Sequence, residues 1–175
     1  MTEKKTMVKY ENGMNYMDWG NNVFSMTLPI PTSRIDTPEI CIEHLYTDAE
    51  IMREIEEDGV KRRLYMGREF DSLGKGDSYF CADRNSCGDG KINIIDGTEK
   101  SRVVAMTKNS NINVALPKMR FANMVLSSQP PFDNFCFDNF IPIFKTIKEI
   151  LSDGKTNAVE SSELAETEND VQKDN

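Results

Sequence analysis

Ile112-Asn113-Val114-Ala115-Leu116-Pro117-Lys118-Met119-Arg120-Phe121-Ala122-Asn123-Met124-Val125-Leu126 is the stretch on which the fold class turns. Its apolar residues run through 112–116, and apolar positions then alternate with cations from Lys118 to Phe121. The pattern predicts two strands, 112–116 and 119–126, or one bent strand interrupted at Pro117, which cannot donate to a ladder. Upstream lie three more strand candidates, over 78–82, 91–95 and 102–107, separated by turns rich in Asn, Gly and Asp. An earlier one spans 23–31, ended by Pro29 and Pro31.

Two helices interrupt this pattern. Thr47-Asp48-Ala49-Glu50 is a capping box, in which the Thr hydroxyl and the Glu carboxylate each serve the other residue's amide. With Ile51 and Ile55 on one face it predicts a helix over 48–58, resuming after Asp58-Gly59 as far as Leu64. The short apolar piece 40–46 before it is a second strand or the approach to that helix, and 68–76 is a loop. Downstream, Phe140, Ile143, Phe144, Ile147, Ile150 and Leu151 recur at helical spacing, with Asn139 as cap, Pro142 in the first turn and Gly154 beyond the end. This predicts a helix over 139–153. The expected class is α+β: a small curved antiparallel sheet or OB-like barrel, with an inserted helix and a C-terminal amphipathic helix. The domain layout expected is a flexible N-terminal arm over 1–20, one OB-like domain over 21–154 and a disordered acidic tail over 155–175.

Charge is distributed unevenly. Lys100, Arg102, Lys108, Lys118 and Arg120 fall within 100–132, which contains no Asp or Glu. The 175-residue chain has a net charge of −8; this stretch carries +5 and the tail −4, leaving −9 for the rest. A cationic strip in an anionic protein, followed by an anionic tail able to cover it, suits a regulated polyanion binder. Single-stranded nucleic acid is held by cations on its phosphates and by aromatic faces on its bases, the latter worth about 1–3 kcal/mol per base. Phosphate contacts therefore fall to the five cations, and stacking to Phe121, Tyr79 and Trp19. A solvated face of an ordinary amphipathic strand accounts for the same charges.

Other chemistry is sparse. Cys41, Cys81, Cys87 and Cys136, with no signal-peptide pattern, read as reduced thiols of a cytoplasmic protein, and no apolar run is long enough for a membrane span. Cys41 with His44 and Cys81 with Cys87 supply four zinc-type ligands, although the second spacing is wide. Residues 85–96 place Gly90 and Asp96 at calcium-loop positions, with Asn85 and Cys87 as poor oxygen donors. His44 is the single histidine, with no nucleophile elbow or phosphate loop near it, so no enzyme activity and no cofactor are expected. The tandem Phe132-Asp133-Asn134-Phe135 and Phe137-Asp138-Asn139-Phe140 either presents aromatics to a protein partner or closes the sheet and staples the following helix.

The element order resembles that of OB-fold single-stranded DNA-binding proteins of tailed bacteriophages. The similar parts are the proline-flanked run from Phe24 to Pro31, the capped helix, Tyr79-Phe80-Cys81-Ala82 leading to Ile94-Ile95-Asp96-Gly97, the late strands over 112–126 and the acidic tail. They cover roughly 22–126 plus the tail. The resemblance implies a protein that binds single-stranded DNA in phage-type replication or recombination, its tail gating the groove and recruiting replication proteins. Two features depart from it: the chain ends Lys173-Asp174-Asn175 without the terminal aromatic such tails carry, and the helix over 139–153 has no counterpart. The competing expectation is a protein-interaction module that uses the aromatic segment and helix over 132–151.

Overall fold

The computed structural model describes residues 15–36, 40–106, 111–128 and 130–152. They are α+β, and the chain divides into two compact units, 1–29 with 140–175, and 30–139.

In the first unit, β1 (Tyr16–Asp18) pairs antiparallel with β2 (Phe24–Met26). Tyr16 and Phe24 meet edge to face at 6.0 Å. Residues 16–20, expected in the flexible arm, are therefore a strand and turn, because Gly20, Asn21 and Asn22 supply the three consecutive positive φ angles that reverse the chain. The same unit contains α3, a helix over 141–152 that matches the C-terminal helix expected from periodicity.

The second unit opens with single 3-10 turns at Thr32–Arg34 and Ile42–Leu45, the latter in place of the strand expected over 40–46. In α1 (Asp48–Ile51) the capping box forms as its sequence dictates: Thr47 Oγ1 accepts from the Glu50 amide, and Glu50 Oε2 accepts from the Thr47 amide at 2.8 Å. The helix stops after four residues instead of continuing to 58. Asp58 and Gly59 both adopt positive φ, the requirement of a tight hairpin turn, and this turn joins β3 (Ile55–Glu57) to β4 (Val60–Arg62). Next come β5 (Tyr65–Met66), β6 (Tyr79–Cys81), β7 (Ile94–Ile95) and β8 (Val103–Ala105), so the three strands expected over 78–107 all form, each shortened. They pair as β5 with β7 and β6 with β8.

Among the described residues the strands pair only in twos, in four antiparallel sheets, and close no barrel. The reason lies in the decisive stretch. Residues 112–116 form no ladder: they make one isolated parallel bridge, Ala115 with Arg63, and otherwise separate hydrogen bonds, such as Val114 N–H to the Val103 carbonyl at 2.8 Å and Gly97 N–H to the Leu116 carbonyl at 3.3 Å. Residues 118–127 are a helix, α2 (Lys118–Ser127), where strand 119–126 was expected. The alternation from Lys118 to Phe121 misleads because Met119 is exposed rather than inward; the residues that reach the core are Phe121 and Val125, one helical turn apart. Pro117 stands just before the helix, where a missing donor costs nothing, and Asp96 Oδ1 accepts from the Lys118 amide. The chain comes close enough at Gly97 that a Cβ there would sit 2.2 Å from the Ala115 carbonyl oxygen.

The β5–β7 ribbon divides the core in two. Successive strand residues face opposite sides. Met66 and Ile94, directly paired, join Leu64, Leu116 and Phe121 in one cluster; Tyr65 and Ile95, the next pair, join Phe70, Cys81, Cys87 and Val103 in the other. Among the described residues, no helix is long and apolar enough to cross a membrane.

Candidate interaction surfaces

Two cations of the strip are paired with carboxylates in the fold. Lys118 and Arg120 stand in the first turn of α2, where the helix dipole disfavours positive charge. Each is held there by a carboxylate: Lys118 Nζ lies 3.2 Å from Glu43 Oε1, and Arg120 donates to Glu57 Oε1 at 2.7 and 3.1 Å. Both cations are thus engaged by a carboxylate within the fold. Lys100 and Arg102 are exposed on the approach to β8, and Lys108 lies outside the described residues. Arg84, which the sequence reading missed because Asp83 sits beside it, is exposed in the 3-10 turn after β6. The ladder pairs Cys81 with Val103 and continues as Ala82 N–H donating to the Arg102 carbonyl at 3.0 Å. Arg84 thus belongs to the same end of the ribbon as Lys100 and Arg102.

The three aromatics proposed for stacking part company. Phe121 is only 2% exposed, with Tyr46, Phe132 and Phe135 around it at ring-centroid distances of 5.9, 5.6 and 5.8 Å, so no base can reach its face. Tyr79 is half-buried against Tyr65, on the wall of a cavity of about 240 Å³ that also involves the Arg63–Glu69 ion pair. Trp19 is 62% exposed beside the β1–β2 turn, its indole N–H donating to Ser25, and it belongs to the first unit while Tyr79 belongs to the second.

The proposed zinc ligands separate into two pairs with other tasks. His44 is buried; its Nδ1 accepts from the Cys41 amide at 3.0 Å and faces Cys41 Sγ at 3.1 Å. With Nδ1 an acceptor, the proton is on Nε2, which donates to the Ile92 carbonyl at 2.8 Å. The imidazole thus caps a 3-10 turn and ties it to the segment before β7. Burial holds its pKa below the ordinary value of 6.5. Cys41 is pushed up to about 11 by burial and by the Glu43 carboxylate beside it, the Lys118 ammonium only partly opposing. Cys81 and Cys87 both turn to the Asp83 carbonyl instead. Among the described residues, no three Cys, His, Asp or Glu side chains converge as a metal would require. The calcium-loop carbonyls are likewise engaged, Asn85 by Lys91 Nζ and Asn93 by the Gly67 amide.

The tandem aromatic motif divides as well. Phe132 and Phe135 are in the core, while Phe137 is exposed and touches Tyr46. Arg53 lies over the Phe135 ring at 4.9 Å and donates to the Pro131 carbonyl and to Asn134.

On α3, sequence periodicity predicted an amphipathic helix, and the structure shows two apolar faces. Ile143, Thr146 and Ile150 form the sheltered one. Phe144, Ile147 and Leu151 form a second, 62%, 41% and 63% exposed, extended by Ile141. At 3.6 residues per turn, the two faces are about 100° apart. The signal was present in the sequence: seven large apolar side chains between 140 and 151 cover more of the circumference than one core contact needs.

No protein-family model, curated protein sequence or solved structure matches the chain.

Proposed function

We propose that this chain is a non-enzymatic protein-interaction module, in which α3 lays its Phe144–Ile147–Leu151 stripe into an apolar groove of a partner protein. The exposure of that stripe carries the reading. Apolar side chains recurring at three- and four-residue intervals on an exposed helix face are the anchors of helix-in-groove recognition. Lys148 and Lys145 lie along one flank of the stripe, so the fitting groove has carboxylates on the matching rim. Half-exposed side chains of this size gain roughly 1–2 kcal/mol each on full burial, which after the costs of association suits a reversible contact.

A photo-crosslinking side chain at position 144, compared with one at position 149 on the opposite face, tests this in cells expressing the full chain. The expected result is one discrete protein adduct from position 144, mapping to an apolar groove with acidic neighbours, and none from 149. Equal adducts from both positions, or a second copy of this chain as the sole adduct, would refute it.

A second reading, single-stranded nucleic-acid binding, rests on Arg84, Lys100 and Arg102 sharing one end of the β6–β8 ribbon with no carboxylate partner among the described residues. It requires labelled oligo-dT to bind in a salt-sensitive way that is lost in Lys100→Glu/Arg102→Glu. The acidic tail would gate that site, and its structure lies outside the described residues.

A further inference from the structure

Cys81, the last residue of β6, and Cys87, just beyond the following 3-10 turn, are both buried. Their sulfurs converge on one acceptor: Cys87 Sγ lies 3.1 Å from the Asp83 carbonyl oxygen, and Cys81 Sγ lies 3.8 Å from it. Two buried sulfurs that share one acceptor are near enough for side-chain rotation and a small adjustment of the short segment between them to bring them to bonding distance.

We propose that Cys81 and Cys87 form a dithiol–disulfide couple, closed by exchange with a low-molecular-weight disulfide such as oxidised glutathione. In the first step a cysteine thiolate attacks one sulfur of the small disulfide, forming a protein mixed disulfide and expelling one small thiolate. In the second, the other cysteine's thiolate attacks the protein sulfur of that mixed disulfide and expels the second small thiolate. The two cysteine protons end on the two small thiols released, so the protein loses two electrons and the small disulfide gains them.

Burial raises the pKa of both thiols, Cys87 up to about 12, so the exchange requires local opening first. The first attack is assigned to Cys81, at the end of β6, and the resolving one to Cys87, on the short segment that opens. The intervening segment is a single 3-10 turn, held by Ser86 N to the Asp83 carbonyl at 3.2 Å, Cys87 N to the Arg84 carbonyl at 3.4 Å, Ser86 Oγ to Asp83 Oδ2 at 2.8 Å and Lys91 Nζ to the Asn85 carbonyl, and its local opening is what admits the oxidant. Closure also orphans nothing, since Asp83 O loses two weak thiol donors but keeps the Ser86 amide. The disulfide would pin the segment carrying Arg84, whose neighbour Asp83 already accepts from Ser86 and Ser101.

The test treats full-length reduced protein with oxidised glutathione, alkylates the remaining thiols in denaturant and digests with trypsin. Cleavage after Lys75, Arg84 and Lys91 places the two cysteines on separate peptides, 76–84 and 85–91. The expected product is these peptides joined by a disulfide, with no glutathione retained, and a midpoint of thermal unfolding raised by a few degrees that returns on reduction. In Cys87→Ser, glutathione should instead remain on Cys81. Recovery of both peptides alkylated while Cys41 or Cys136 is oxidised, or glutathione retained on Cys81 in the unsubstituted protein, would overturn the proposal.

Discussion

His44 shows how one side chain can be mistaken for a functional site when its neighbours are unknown. A lone histidine three residues from a cysteine suggests a metal ligand or a base; in the fold both ring nitrogens are spent on backbone groups. Its chemistry then becomes a matter of stability. Burial depresses its pKa in the folded state, so the unfolded chain binds more protons as pH falls. The contribution of His44 is complete above its unfolded value of 6.5 and is lost as pH falls towards its folded value, at no more than about 1.4 kcal/mol per pH unit. Denaturant midpoints should therefore fall between about pH 7.5 and 5.5, a range above ordinary carboxylate titration. In His44→Asn that slope should flatten, whatever the variant's baseline stability. An unchanged slope would place the titration elsewhere.

At the scale of elements, α1 is too short to hold itself, and its stability comes from one carboxylate. Glu50 is buried; Oε2 accepts from both the amide and the hydroxyl of Thr47, and Oε1 accepts from the Cys136 amide at 2.7 Å, across the unit. Burial alone would raise its pKa, but these amide and hydroxyl donors outweigh it and the net shift is downward. Thr47→Ala removes a cap and should cost about 1 kcal/mol. Glu50→Ala orphans the Cys136 amide as well and should cost about 2–3 kcal/mol by urea denaturation. Equal costs would mean that the Cys136 bond contributes nothing. The capping box was legible because its signal is local, as were the turns that bound β6, β7 and β8 and the periodicity of α3. What misled was equally local: Lys118 to Phe121 alternates as a strand does, and only the burial of Phe121 and Val125 together with the exposure of Met119 decides for a helix. Asp58-Gly59 carried the opposite lesson: the helix reading continued past it, and in the fold it is the turn of the β3–β4 hairpin.

At the scale of the whole molecule, the cationic stretch was the most prominent sequence feature and the one the fold altered most. Sequence distance placed five cations together; tertiary pairing gave Lys118 to Glu43 and Arg120 to Glu57, partners some 60 to 75 residues away that no local pattern reveals. Arg84 joins Lys100 and Arg102 for the same reason, through the β6–β8 register. The apolar stripe of α3 was visible in composition, but its exposure was not, since periodicity shows which residues share a face and not whether that face is covered. The central claim is that this face is open to solvent in the complete chain. The most direct test is maleimide labelling of single cysteines introduced at 144, 151 and 146, following the rate at each site by mass spectrometry. The account predicts rapid labelling of Phe144→Cys and Leu151→Cys, and labelling of Thr146→Cys, at a buried position, slower by at least about tenfold, as burial of the backbone helix face requires. Protection of 144 and 151 equal to that of 146 would show the stripe already covered within the chain, and would contradict the claim.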